Sequence, residues 1–247
     1  MKFFNVIFLT FWAVSLTFAS ESNVQSVIAH ARAAVGAETV LDNLVTLQMS
    51  GRIHPGESRL SSATISITAR KPCSQRLEVT FDDLLETTIV EGNRGCIIRS
   101  NQSHVEEVYQ IRMMTPEEVQ RVAFNTRQLF SFYKADSKNN EFVIYDGIDE
   151  RRGLSCHKLR YAYPNGMTTT RYFAVNDHAL VSIITDKGVE SVEIGEWIVD
   201  GIRFPKQIEY YHENKKLHTL ILDKIEVNKP LRSGVFTIPK VQKKREI

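Results

Sequence analysis

Seven histidines (His30, His54, His104, His157, His178, His212 and His218) and three cysteines (Cys73, Cys96 and Cys156) are the first residues to test for chemistry. Their spacing argues against it. No His-Glu-x-x-His occurs, so the two-histidine helical zinc site of a metalloprotease is missing. His212 and His218 fall on two arms of an expected hairpin, a pair with no third ligand. Cys156 and His157 are adjacent, and neighbours on a strand leave opposite faces, so they do not form a nucleophile and its base. There is no Gly-x-Ser-x-Gly, no phosphate loop and no dinucleotide fingerprint. The acidic pairs Asp82-Asp83 and Glu106-Glu107 read as solvated surface. The expectation is a chain without catalytic residues, metal site or cofactor.

Apolar surface is what the sequence offers instead, and the elements that present it alternate with turns. After residue 45 the period is two. Strands are expected over 46–54, 63–70, 75–82, 85–92 and 95–101, where β-branched and aromatic residues alternate with polar ones. The same texture resumes after residue 140 in seven more segments, the last being "LHTLILDKIEV" (217–227). Short turn sequences join them, including Pro164-Asn165-Gly166 and Asp200-Gly201, the latter a strong two-residue hairpin signal. Both faces of some strands are apolar: Leu217, Ile221, Ile225 and Val227 share one parity while Leu220 and Leu222 take the other. Two-sided burial fits a curled sheet that encloses helices or an apolar ligand. The fold class is therefore mainly β with helices (α+β), an incomplete antiparallel β-barrel of about 11 strands with helices packed in or over its concave face.

Two helical segments punctuate the strands. Val24, Val27, Ile28, Ala31 and Val35 recur at three-and-four spacing, with Gly36 as the expected C-cap and a short turn over 37–44 following. In "TPEEVQRVAFNTRQLFSFYK" (115–134), Thr115 is an N-cap, Pro116 stands at N1 and Glu118 at N3, a capping box. Its apolar face needs a partner surface, and the sheet is the one available.

The N-terminus stands apart from the fold. "MKFFNVIFLTFWAVSLTFAS" has a lysine near its start, an apolar run and small residues at its end, the pattern of a secretory signal peptide with cleavage expected after Ala19. Removing 19 of 247 residues leaves 228, which suits one domain, 20–247. Loss of Lys2 lowers the formal net charge from +2 to +1. That balance does not describe a nucleic-acid binder. Cys73 and Cys96 are expected two strands apart, about 10 Å, beyond a relaxed disulfide, so the thiols are expected free and buried. No cysteine follows the leader to accept a lipid anchor.

The closing stretch is distinctive. "VDGIRFPKQIEYY", a hairpin, then "LHTLILDKIEVNKPLRSGVFTIPK" resembles the end of the bacterial outer-membrane lipoprotein-sorting (lipoprotein localisation factor, LolA/LolB-like) family. Gly201, Phe204 and Pro205 match, as do Val227, Asn228, Pro230, Leu231, Phe236 and Pro239. "AVGAETVLDNLVTLQMSGRI" and "ITARKPCSQRLEVTF" resemble the family's first helix-to-strand passage and its Lys/Arg-Pro turn.

The resemblance implies a half-barrel with a lidded apolar cavity. It further implies a periplasmic, monomeric, non-catalytic carrier or binder of lipid or lipoprotein acyl chains. Phe124, Leu129, Phe130 and Tyr133 on the second helix, with Trp197, are the expected ligand contacts. Lys71, with Arg70 and Arg76, stands where the family places a lid-holding cation, although lysine lacks the arginine fork. An alternative is an envelope interaction or sensor module whose cavity is permanently plugged, with the basic tail "KVQKKREI" (240–247) as a docking or headgroup patch. Last, 217–227 is expected to end at the barrel edge, with Pro230 and Pro239 blunting that edge and Phe236 returning as a plug contact.

Overall fold

The computed structural model describes residues 13–56, 61–101, 103 and 108–239. Most of the expected leader, the pair Glu106-Glu107, His104 and the basic tail therefore lie outside the described residues. Thirteen strands form one antiparallel sheet: β1 (Thr46–Pro55), β2 (Ala63–Arg70), β3 (Ser74–Phe81), β4 (Leu84–Glu91), β5 (Arg94–Asn101), β6 (Val108–Met113), β7 (Phe142–Arg151), β8 (Leu154–Ala162), β9 (Thr168–Ala174), β10 (Leu180–Thr185), β11 (Val189–Val199), β12 (Ile202–His212) and β13 (Lys215–Val227). Helices α1 (Ala13–Val35), α2 (Glu38–Asp42) and α3 (Pro116–Ser131) complete the regular structure of the described residues, with one 3-10 turn over Ser137–Asn139.

The strand order is β6-β5-β4-β3-β2-β1-β13-β12-β11-β10-β9-β8-β7. The sheet is open, an incomplete barrel in topology. Two points differ from the sequence reading. There are thirteen strands, against about 11 expected for the barrel and twelve segments with strand pattern; the added one, β6, six residues beside β5, is too short to stand out. Also, β13 is no edge. It lies between β1 and β12, so Pro230 and Pro239 do not blunt an open strand. The edges are β6 and β7, both far from the C-terminus in sequence. Placing the last strand beside the first buries the backbone donors of β13 on both sides, which sequence pattern cannot distinguish from edge pairing.

The chain divides into two compact units: one comprises Val35–Tyr133 and the chain from Val189 onward, the other Lys134–Gly188 with the chain up to Ala34. In the first unit, Leu41, Leu44, Leu47, Ala69, Phe130, Ile202, Phe204, Leu222, Ile225 and Val227 form one buried cluster. Asp200 and Gly201 both have positive φ, 49° and 80°, as a tight two-residue hairpin between right-twisted strands requires. Gly36 is not a left-handed cap. It bridges to Ile202, and a Cβ there would stand 2.7 Å from the Gly201 carbonyl oxygen, so close backbone approach is what demands glycine. In the second unit, Leu159, Tyr161, Phe173 and Cys156 are fully buried. Arg171 is buried with its guanidinium 4.0 Å over the Tyr161 ring and donates to the Tyr163 hydroxyl. Burial pushes the Tyr161 hydroxyl up to about 12, against the pull of Arg171.

Candidate functional site

α3 begins as its sequence dictates. The Thr115 hydroxyl accepts from the Glu118 amide, and the Glu118 carboxylate accepts from the Thr115 amide, 2.8 Å. Arg112 on β6 clamps the same carboxylate with both guanidinium nitrogens, 2.8 and 2.9 Å. Those Arg112 hydrogen bonds first, and the backbone amide second, pull Glu118 down to about 2. Val119, Ala123, Thr126 and Phe130 are buried on one face, Phe124 is buried to the side of it, and the helix packs on β3, β4 and β5. The helix ends at Phe132 and Tyr133, both left-handed at φ 42° and 73°. Neither is glycine, so this exit costs about 1 kcal/mol per residue and is held by what surrounds it.

A buried polar contact fixes α3 to the sheet. The Thr126 hydroxyl donates to Gln75 Oε1 at 2.6 Å and lies 2.8 Å from the Val122 carbonyl oxygen, with Thr126 inaccessible and Gln75 nearly so. Lys71 reaches α2 and α3 together. Its ammonium donates to the Asp42 carbonyl oxygen at 3.0 Å and stands 5.8 Å from the Phe130 ring centroid. The Lys71–Pro72 peptide is cis.

Strand register shows what lies under and beside this helix. The row Val227, Leu47, Ala69, Gln75, Val90, Gly95 runs across six strands as direct partners and is buried throughout. One step along the strands, on the same face, is Ile225, Met49, Ile67, Leu77, Thr88, Ile97. Ile225 is buried there; the other five are half-buried. The next row brings Leu222, Gly51, Ile65 and Val79. Apolar surface thus passes from dry core beneath α3 to partly open sheet on a single face. This gradient is the candidate site.

Phe130 is buried against that face, Leu129 packs on the cluster around it, and Phe124 is buried on α3 without joining that cluster. Tyr133 is half-buried at the helix exit. Trp197 pairs with buried Phe204, is 40% exposed, and donates its indole N–H to the Leu222 carbonyl oxygen at 3.1 Å. It stands at the rim of the same cluster. Arg70 pairs with Glu91 at 2.8 Å and Arg76 with Glu78. Arg76 pairs across β3 with Ile89, on the face opposite Gln75, so neither Arg76 nor its ion pair meets α3. Phe236 does return to the sheet and is buried, but against Ile89 and Cys96. Ile89 neighbours Val90 on β4 and so points away from α3; Phe236 covers the opposite face. All three cysteines are free, Cys96 and Cys156 buried and Cys73 half-buried. Burial pushes the Cys96 and Cys156 thiols up, making them poor nucleophiles.

Sequence reasoning had the helix residues but not the surface they cover. Met49, Ile67 and Leu77 alternate visibly in their own strands; their alignment into one row depends on register, which pattern alone does not supply.

No family model matches the chain, and no curated protein matches it in sequence. Solved structures do resemble it. A LolA superfamily protein from Nitrosomonas europaea superposes with a TM-score of 0.56 at 9% identity, over 87% of this chain and 97% of that one. The chain shares that protein's fold. A protein domain from Vibrio parahaemolyticus named for outer membrane lipoprotein sorting gives 0.54 at 6% identity, covering 87% and 97%. A DUF1329 family protein from Desulfovibrio piger gives 0.56 at 9%, covering 86% and 96%. Among the described residues no helix is long and apolar enough to cross a membrane.

Proposed function

We propose that the chain is a non-catalytic, periplasmic carrier or binder of lipid or lipoprotein acyl chains, acting as one domain over 20–247 after removal of a leader. The observation that supports this most is the graded apolar face at Met49, Ile67 and Leu77, half-open beside a helix whose aromatic side chains cover its dry end. Each methylene taken out of water contributes about 0.8 kcal/mol, so a 16-carbon chain supplies on the order of 10 kcal/mol before ordering costs. α3 is the lid in this reading. Phe124, Leu129 and Phe130 meet the chain as the helix shifts, Tyr133 sits at its hinge, and Lys71 holds it down through Phe130 and α2. The LolA-like fold, a scaffold whose likenesses include a domain named for lipoprotein sorting, supports the same class of ligand.

The test is direct. Purified 20–247 is extracted with organic solvent and the extract analysed for lipid by mass spectrometry. A fatty-acid titration then follows Trp197, the single tryptophan left after Trp12 is removed with the leader. Co-purified lipid and a saturable change in emission are expected. An empty extract with no saturable change would point instead to a plugged module that binds through its surface.

A further inference from the structure

On the face opposite α3, the C-terminal segment 231–238 and the ends of β2, β4 and β5 line an open cavity of about 550 Å³. Arg70, Arg94 and Arg232 line it, with Glu91, Ser233 and Thr237. Arg70 is committed: it is paired with Glu91 and stacked 4.9 Å over the Phe236 ring, which anchors the segment against Ile89 and Cys96. Arg94 and Arg232 are exposed and have no ion pair with any described residue. With Glu91 neutralising Arg70, the described lining keeps two uncompensated guanidinium charges.

We propose that this cavity is a binding site for a phosphate monoester. Guanidinium forks match phosphate oxygens two at a time, and a monoester carries about −1.5 to −2 at neutral pH, the charge that two free arginines balance. A diester or carboxylate, with a single charge, leaves one arginine unpaired. The hydroxyls of Ser233 and Thr237 supply donors to the remaining oxygen. The site lies on the other face of the sheet from the apolar rows, so it does not rest on the acyl-chain reading. Its phosphate comes either from a lipid headgroup at a membrane surface or from a soluble phosphomonoester, and both present the same group.

The experiment is calorimetric titration of the intact protein with inorganic phosphate and with glycerol 3-phosphate. In parallel, co-sedimentation is measured with vesicles containing phosphatidic acid, phosphatidylglycerol or phosphatidylcholine alone. Arg94→Gln with Arg232→Gln is the test variant, because neither residue supports the fold; Arg70→Gln is avoided because it holds Phe236. Binding that weakens at least tenfold in the double variant, is stronger for monoester than diester and falls with salt is expected. Response to phosphatidic acid vesicles alone assigns a headgroup, and response to the soluble esters a free ligand. No binding in either arm, equal binding by the double variant, or equal binding of phosphatidylglycerol and phosphatidic acid overturns the proposal.

Discussion

At the scale of single residues, two side-chain arrangements account for features that composition alone leaves unexplained. Asn228, within the Val-Asn-x-Pro-Leu stretch, is left-handed at φ 51° and uses its whole amide. Oδ1 accepts from the amides of Val45 and Thr46, at 2.7 and 3.1 Å, and Nδ2 donates to the Asn43 carbonyl oxygen at 3.0 Å. It ties the end of β13 to the start of β1. Asn228→Asp keeps both acceptor bonds and loses one donor; Asn228→Gly keeps the backbone and loses all three; Asn228→Ala loses the bonds and strains the backbone. Urea unfolding should rank them Asp, Gly, Ala in increasing damage, with Ala costing about 2 kcal/mol or more. Thr126 and Gln75 form the second case. Thr126→Val strands a buried amide and should cost about 1–3 kcal/mol, whereas adding Gln75→Leu should recover much of it, because both partners are then apolar. A double-mutant cycle in which the second change adds to the loss would show that the pair does not fix α3.

At the scale of elements, α3 is set by its first turn, and that turn is sensitive to acid. Glu118 is held down to about 2 by Arg112 and the Thr115 amide. An acid depressed on folding stabilises the folded state above its unfolded value, near 4.3, and that contribution disappears as pH falls toward 2. Helical signal should therefore decline between about pH 4.5 and 2, and Glu118→Gln should flatten this decline while lowering stability at neutral pH. An identical acid limb in the variant would show that α3 does not depend on this cap. The motif was legible: Thr115, Pro116 and Glu118 are close in sequence and act locally. Arg112 was not, since its strand, β6, is too short to be read from periodicity. In the second unit His30 on α1 stacks 4.6 Å from His178, which stacks 5.6 Å from His157. Those histidines looked unrelated in sequence because their alignment comes from three separate elements.

At the scale of the whole molecule, the candidate site is a product of strand register. Replacing Ile67 and Leu77 by threonine keeps β-propensity but removes apolar contact from the half-open row. The loss is about 1 kcal/mol per side chain toward a bound acyl chain, so affinity for a fluorescent fatty acid should fall more than tenfold. Circular dichroism should show the fold retained. Unchanged affinity would move the ligand away from this face.

The sequence by itself determined the class of the fold, the capping of α3, the Asp200-Gly201 hairpin and the lack of any local catalytic motif, because each rests on periodicity or on chemistry within a few residues. Even the LolA-like likeness was visible in short stretches around Gly201, Asn228 and Phe236. Tertiary structure decided what those stretches do. It set β13 beside β1, turned Phe236 onto the face opposite α3, and aligned Met49, Ile67 and Leu77 into one apolar row. It also gathered Arg70, Arg94 and Arg232 around one cavity. Pairing partners more than a hundred residues apart, and the register between them, are fixed by packing over the whole sheet, and no local pattern encodes them.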